Sequence, residues 1–487
     1  MKKIIVSSLL ACCFATLPAA AETITLAEPG TLSEQLTDTN VKELTVSGPV
    51  NALDLVYISE LPALKSVDLA NVEIKAYEGK MIGTVTRHGA NVIPANVFAG
   101  AKFTTIALPT TAGLKISSGA FAESGLETIV IPSTVASVGD GAFAGCPELV
   151  SADCNVAALG VGVFAQCPKL ENVKFGCAVA LPANAFYGCG ALTSVKGDVT
   201  SVGDHAMAYC RSLSSFPFGN VEAIGAEAFM GAGLSSVALT KCKTVGEWAF
   251  AMMPNLTELS LGNAVELGQA VAFACPKLKN VTTPETVSEV PDFAFSKSAA
   301  VDTLGLLPDN IERIGRYALS GLSGIHVITL PASIESLDDH AMENMTSLER
   351  IDAEMYYIPE VGEDVWAGID QSKVELVVPN EMIDEFKAAD QWCEFKVINS
   401  SSSSADTVVD EILPELQARF DADDLIVRAG GVEIEQLLLY DPAGRLLIAV
   451  EPMEDTIVVN TAGFNTRYYI IHASLADGRT AALKLAK

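Results

Sequence analysis

Apolar residues return along this chain with a period far longer than that of one helix or strand. A small residue followed by a bulky one recurs as Val97-Phe98, Ala120-Phe121, Ala142-Phe143, Val163-Phe164, Ala185-Phe186, Ala206-Met207, Ala228-Phe229, Ala249-Phe250, Ala272-Phe273 and Ala294-Phe295. Looser copies follow at Ala318-Leu319, Ala341-Met342 and Val365-Trp366, and successive anchors lie 21 to 24 residues apart. A second set of apolar positions follows the anchors by five or six residues, as at Leu126, Leu149, Leu170 and Leu192. Three residues later begins a short alternating run such as Ile129-Val130-Ile131 or Val237-Ala238-Leu239. Alternation predicts a short strand with one buried face, and the three-residue spacing around each anchor predicts a single helical or 3₁₀ turn. A unit of ~22 residues cannot bury both of its faces, so neighbours must stack into a quasi-one-dimensional solenoid. About fourteen coils at a strand spacing of ~4.8 Å would give a rod or arc roughly 65 Å long.

The consensus L-x-x-V-x-L-P-x-x-V-x-x-V-G-x-x-A-F-x-x-C-x-x-L, which Leu126 to Leu149 follows almost position by position, resembles the BspA-type leucine-rich repeat. The resemblance covers residues 91–397. Residues 22–90 read as an N-terminal cap with atypical first repeats, carrying Leu44, Val46, Leu53, Ile58, Leu61, Leu64, Val67 and Leu69. Such a cap is expected because an open solenoid end exposes apolar surface. Val374 to Pro379, followed by Phe386, Ala389, Trp392 and Phe395, resembles the closing coil of such arrays. The Ala272-Phe273 and Leu319 units, where spacing loosens, are expected to be locally irregular.

Residues 398–406 form a polar linker containing the run Ser400 to Ser404. Beyond it, in 407–487, the repeat stops and short alternating runs appear, among them Leu437-Leu438-Leu439-Tyr440 and Tyr468-Tyr469-Ile470-Ile471. With turn signals at Asp441-Pro442-Ala443-Gly444 and Ala476-Asp477-Gly478, they predict a small C-terminal β-sandwich. The order Tyr440-Asp441, Gly444-Arg445, Tyr468-Tyr469-Ile470-Ile471 and a final Lys484-Leu485-Ala486-Lys487 resembles the C-terminal sorting domain of type IX secretion cargo. That resemblance implies an encounter with export machinery through this domain.

The start of the chain points the same way. Residues 1–21 combine Lys2 and Lys3, an apolar stretch from Ile4 to Leu17 and Ala19-Ala20-Ala21, the pattern of a signal peptide cleaved after Ala21. Leu9-Leu10-Ala11-Cys12 loosely resembles a lipoprotein site, but carries Leu where a smaller residue is usual, so simple cleavage is favoured over lipidation at Cys12. No later segment reaches about 18 uninterrupted apolar residues. The expected location is exported, at the cell surface or beyond.

Charge narrows the partners. With 60 acidic and 31 basic residues in 487 and a net charge of -29, the chain is not suited to neutralising nucleic-acid phosphates or anionic lipid. There is no G-x-S-x-G, H-E-x-x-H or Walker-type motif, so no catalytic residues, metal or cofactor are expected. Cys146, Cys167, Cys189 and Cys210 each stand three residues after their anchor. Disulfides between coils are geometrically conceivable, but stacked free thiols filling a small buried position are the simpler reading.

Two rows of residues are candidates for contact with a partner. Two residues before the anchor, early coils carry Asn96, Gly119, Gly141, Gly162 and Asn184, whereas later ones carry His205, Trp248, Phe293, Tyr317 and His340, with Glu227 and Val271 between. Exposed aromatics favour binding, though the same residue types also pack against neighbouring turns. Three residues before the anchor stand Asp140, Asp204, Glu247, Asp292, Asp339 and Glu363, which stacking would align into a broken acidic stripe. Such residues either cap a helical turn or present a site for a cation or basic partner. A third surface, around Thr104, Thr105, Glu127, Thr128, Thr193, Ser194, Ser235 and Ser236, is rich in hydroxyls. The expected function is non-catalytic binding at the cell surface. The resemblance implies adhesion to host matrix or cell proteins, or to other bacteria. A structural or assembly role in the envelope is the alternative, and a secreted hydrolase a remote one.

Overall fold

A computed structural model describes residues 21–81, 84–304, 307–353, 355–399, 417–421, 424–440, 446–464, 468–477 and 479–486. The expected signal peptide up to Ala20, the Ser400 to Ser404 run and the expected turn at Asp441 to Gly444 lie outside the described residues. The chain divides into two compact units, residues 1–402 and 403–487.

The first unit is a stack of coils, most of them built from two short strands rather than the single strand expected. The first strands pair in parallel within successive sheets, Ser151 with Thr128 on one side and Asn172 on the other, then Asn172 with Ser194. The second strand forms its own parallel ladder, Val202 to Ile224, then Val245, then Leu267. Alternation sorts the side chains: Ile129 and Ile131 point into the core while Thr128 and Val130 face solvent.

The anchor segment is not helical. Two residues in each coil, one two before the bulky anchor and one two after it, adopt left-handed φ, as at Gly141 (58°) and Gly145 (68°) or Trp248 and Met252 (both 57°). A helix needs a continuous run of right-handed residues, so the chain instead makes consecutive tight turns, closed by bonds such as Ala144 N–H to Gly141 O at 3.0 Å. In return, alternate amides point along the stack. Gly119 donates to Asp140 O, Phe121 to Ala142 O and Glu123 to Ala144 O, at 2.7–2.9 Å. This third ladder repeats from coil to coil and fixes the register.

The same ladder corrects the ninth anchor. Phe250 N–H bonds Val271 O and Ala272 N–H bonds Ala294 O, so the anchor is Val271-Ala272, not Ala272-Phe273, and Ala270 (φ 53°), not Val271, takes the left-handed position. Bulk alone misassigned it. Val271 and Ala272 are fully buried, while Phe273 turns outward.

Inside, the anchors of the early coils form a column. Phe98, Phe121, Phe143, Phe164 and Phe186 stack in sequence with centroids 5.1–5.6 Å apart. Close stacking also explains the glycine four residues before many anchors: a Cβ at Gly139 would sit 2.5 Å from the Ser118 nitrogen of the preceding coil.

Both ends of the core are covered. At the start, helix α1 (Leu32–Gln35) packs on helix α2 (Ala52–Ser59), and α2 lies against strand β2 (Glu43–Val50), which pairs with β1 (Ala21–Thr25) and β3 (Ser66–Ile74). The buried Asp54 carboxylate accepts backbone N–H groups from Gly30, Asn51 and Leu32 at 2.6–3.0 Å. A buried carboxylate is tolerated when its lone pairs are filled in this way. An antiparallel hairpin, Tyr77–Met81 with Thr84–His88, follows. At the far end Trp366, Phe386, Trp392 and Phe395 meet edge to face around the helix Ile383–Ala388.

The second unit holds two antiparallel sheets. One joins Gln417–Asp421, Asp424–Arg428 and Thr456–Asn460; the other joins Leu446–Val450, Ile434–Tyr440, Tyr468–Leu475 and Thr480–Ala486. Leu425 and Val427 of the first share one apolar cluster with Leu437, Leu439, Tyr469 and Ile471 of the second. No helix among the described residues is long and apolar enough to cross a membrane.

Candidate functional site

The left-handed position before each anchor puts its side chain on the outside of the turn. Early coils fill it with Gly119, Gly141 and Gly162, or with Asn96 and Asn184, residue types that accept positive φ readily. Later coils hold His205 (55°), Trp248 (57°), Phe293 (58°), Tyr317 (54°) and His340 (57°) in the same conformation. Bulky residues there carry strain of order 1 kcal/mol each.

Trp248, Phe293 and Tyr317 meet around one open cavity of about 470 Å³. Tyr317 stacks on Phe293 at 5.1 Å, and His340 stacks on Tyr317 at 4.5 Å with the rings within 7° of parallel. His205 stands apart, with Nε2 3.3 Å from Glu227 Oε2. In the coil between Trp248 and Phe293 the equivalent position is the fully buried Ala270, so the row of outward rings is interrupted. Phe273 of the same coil lines the cavity instead, tilted against Trp248 at 5.1 Å, with the Lys297 ammonium 5.4 Å from its own ring centroid.

The rest of the lining is polar. Ser296, Ser320 and Glu343 follow one after another in the position after the anchor, and Lys297 and Asn344 take the second left-handed position. Asn344 Nδ2 donates to Glu343 Oε1 at 3.1 Å, and His340 Nδ1, shielded from solvent and without a hydrogen bond, lies 3.5 Å from Glu343 Oε2. These polar residues and Phe273 were missed from sequence. The signal was present: Ala99, Ala122, Ala144 and Ala165 occupy the position after the anchor in early coils, where later coils carry Phe273, Ser296, Ser320 and Glu343.

The acidic row has a different geometry from a helix cap, because no helix follows it. Asp140, Asp204, Asp292 and Asp339 each accept a backbone N–H from the next coil: Val161, Ala226, Arg316 and Glu363, at 2.8–3.0 Å. Glu247 accepts from Gln269 Nε2 at 3.0 Å. Asp292 also meets Arg313, which reaches Glu289 and Asp338 as well. Among the described residues no group of three or more His, Cys, Asp or Glu is placed to hold a metal ion. The hydroxyl-rich strand face is knitted between coils too, by Thr105 to Ser66 and Ser194 to Asn172.

The cysteines form a column behind the anchors. Cys146, Cys167, Cys189, Cys210 and Cys275 are buried and free, and each thiol donates to the carbonyl of an anchor phenylalanine one coil earlier, at 3.1–3.2 Å. Cys275 joins the column because the ninth anchor is Ala272. Burial pushes the Cys210 and Cys275 thiols up to about 12. Protonated and enclosed, they are packing groups rather than nucleophiles.

The repeat itself is shared with known proteins. The BspA type leucine rich repeat region matches residues 91–214, 179–302 and 303–373, more than half of the chain. Among solved structures, a leucine-rich repeat protein from Bacteroides ovatus is 16% identical, covering 74% of this chain and 88% of its own, with a TM-score of 0.49. A leucine rich cell surface protein from Faecalibacterium prausnitzii is 20% identical over 57% of this chain and 94% of its own, with a TM-score of 0.31. The pneumococcal vaccine antigen PcpA is 14% identical over 74% of this chain and 78% of its own, with a TM-score of 0.26. No curated protein matches the sequence. With coils of 21 to 24 residues, a phenylalanine column and a thiol column in the register of the matched repeats, this chain belongs to the BspA type leucine rich repeat family.

Proposed function

We infer that this is a non-catalytic binding protein, exported to the cell surface or beyond, that adheres to host matrix or cell proteins or to other bacteria through the turn face of its later coils. Repeat families of this type are generally binding rather than catalytic. One observation carries the assignment of the face. Between Trp248 and His340 the chain places large rings at left-handed positions that its own earlier coils fill with glycine or asparagine. Backbone strain retained at an outward-facing cavity points to recognition. On this reading His205, separate from the cavity, and the acidic row, engaged between coils, contribute little to contact. The two sheets of residues 417–486 are read as a β-sandwich resembling a type IX sorting domain, which with the leader at 1–21 would deliver the protein outward.

The test is capture of matrix components and bacterial surface proteins by the whole chain and by a Trp248→Gly, Phe293→Gly variant. Glycine suits the left-handed backbone, so the variant should keep its melting temperature within a few degrees while losing at least tenfold in affinity. Equal capture by both proteins would exclude this face.

A further inference from the structure

We propose that the cavity between Trp248 and Tyr317 is a lectin-type site that takes an uncharged pyranose of a surface glycan. This rests on the binding role assigned above to the same face and names its ligand class.

The lining has two kinds of surface. One is ring: Trp248 tilted against Phe273, and Phe293 backed by Tyr317. The other is a set of donors and acceptors, namely Lys297, Ser296, Ser320, Glu343 and Asn344. A ligand that satisfies both must be apolar on one face and hydroxylated around its rim. A pyranose has that form: its C–H groups present a weakly positive face to the negative face of an aromatic ring, and its hydroxyls each donate and accept. A cavity of about 470 Å³ falls within the roughly 300–1,000 Å³ typical of small-ligand sites.

An aromatic side chain from a protein partner would use the rings but leave the ammonium, carboxylate and amide desolvated without new partners, an unfavourable exchange. The polar groups are also prepared in advance. Glu343 Oε1 is held by Asn344 Nδ2 at 3.1 Å, so one oriented carboxylate awaits a hydroxyl donor. Lys297 supplies the complementary donor. One cation and one anion together leave the cavity near neutral, and the chain's net charge of -29 repels acidic sugars. Both facts select a neutral hexose over a sialic or uronic acid.

The experiment uses the whole chain on immobilised oligosaccharides ending in galactose, mannose, N-acetylglucosamine or sialic acid. Free methyl galactoside, methyl mannoside and N-acetylglucosamine serve as competitors. Retention on at least one neutral glycan, displaced by its own free sugar, is expected. Glu343→Gln should weaken that retention at least tenfold with an unchanged melting temperature, and Trp248→Gly should abolish it. Two outcomes overturn the inference. If no neutral glycan is retained, yet Trp248→Gly, Phe293→Gly loses an enzymatically deglycosylated protein partner, the site takes a protein side chain and the binding role stands. If a glycan is retained equally by wild type, Glu343→Gln and Trp248→Gly, the sugar lies elsewhere and this cavity is not the site.

Discussion

The coils from Phe98 to Phe186 and those from Trp248 to Met342 share one backbone and distribute their aromatic rings in opposite ways. In the early set the rings are inside, in an unbroken stack, and the outward left-handed positions hold Gly or Asn. In the later set the internal column becomes Phe250, Ala272, Phe295, Leu319 and Met342, while Trp248, Phe293, Tyr317 and His340 stand outside. The ladder between coils does not change: Phe121 bonds Ala142 at 2.7 Å and Leu319 bonds Ala341 at 2.9 Å. Backbone hydrogen bonding therefore sets the shape of the coil. The two side-chain positions beside it can be assigned separately, to cohesion in one region and to contact in the other.

The largest effect expected from this division is in the early column. Phe143 is fully buried between Phe121 and Phe164, so Phe143→Ala leaves a cavity that neighbouring coils cannot collapse around, destabilising the solenoid by about 3–5 kcal/mol. Urea unfolding followed by circular dichroism reads the loss. Should the urea midpoint fall no further than in Tyr317→Gly, the two regions would be energetically alike and the comparison would fail.

Alkaline titration sharpens the same contrast, since four of the five column thiols lie between Cys146 and Cys210. In Cys210 burial raises the folded thiol from 9.0 to about 12. The folded state therefore keeps a proton that the unfolded chain releases. Stability from this group is whole below pH 9.0 and falls as pH rises toward about 12, by at most about 1.4 kcal/mol per pH unit. Cys210→Ala should flatten the decline of the melting temperature between pH 9 and 10.5 (roughly the first half of that window). An unaltered slope would show that these thiols titrate freely. Alkylation gives a second reading: the exposed Cys393 should react in the native protein and the column only on unfolding.

Close approach between coils comes next. At Gly139 a methyl group would lie 2.5 Å from Ser118 N, against backbone that cannot move aside without disturbing the ladder. Gly139→Ala should cost about 1–3 kcal/mol, whereas Gly100→Ala, with open space around it, is penalised only through its φ of 67°. Equal losses at the two sites would locate the whole penalty in the backbone angle.

How much of this was legible in the sequence depends on which force fixed each feature. Burial fixes the anchors, so Phe98 to Phe250 are read directly from their spacing. Burial alone failed at Phe273, because a phenylalanine adjacent to an alanine looks like an anchor until the hydrogen bonds of Val271 and Ala272 are seen. In the later coils the second strand was hidden by its brevity: Ala223–Ile224 and Thr244–Val245 are two residues each and have no alternation to detect. The turn was misread as helical because the spacing Phe143, Cys146, Leu149 fits one, and only backbone angles separate a helix from tight turns that include left-handed residues. At the cavity, the rings Trp248, Phe293 and Tyr317 were visible as departures from glycine. Glu343 and Asn344 were not, since polar residues on a turn attract no attention until the ring row beside them is seen to be interrupted.

The smallest effect on stability, and the most telling, is expected at Tyr317. Its ring contacts Phe293 at 5.1 Å and His340 at 4.5 Å, and aromatic pairs of this kind contribute about 0.5–1.5 kcal/mol each. Its φ of 54° opposes that gain by roughly 1 kcal/mol of left-handed strain. Asparagine removes the ring but tolerates the angle, so Tyr317→Asn releases strain as it gives up the stack, and the two nearly cancel. The variant should unfold within about 1–2 kcal/mol of wild type. Phe293 would then lose its backing and partner affinity should fall several-fold. Denaturation and surface plasmon resonance on the same preparation separate the outcomes. A loss on the scale of Phe143→Ala would make Tyr317 a core residue in an outward position, and the division of labour between the two sets of coils would not hold.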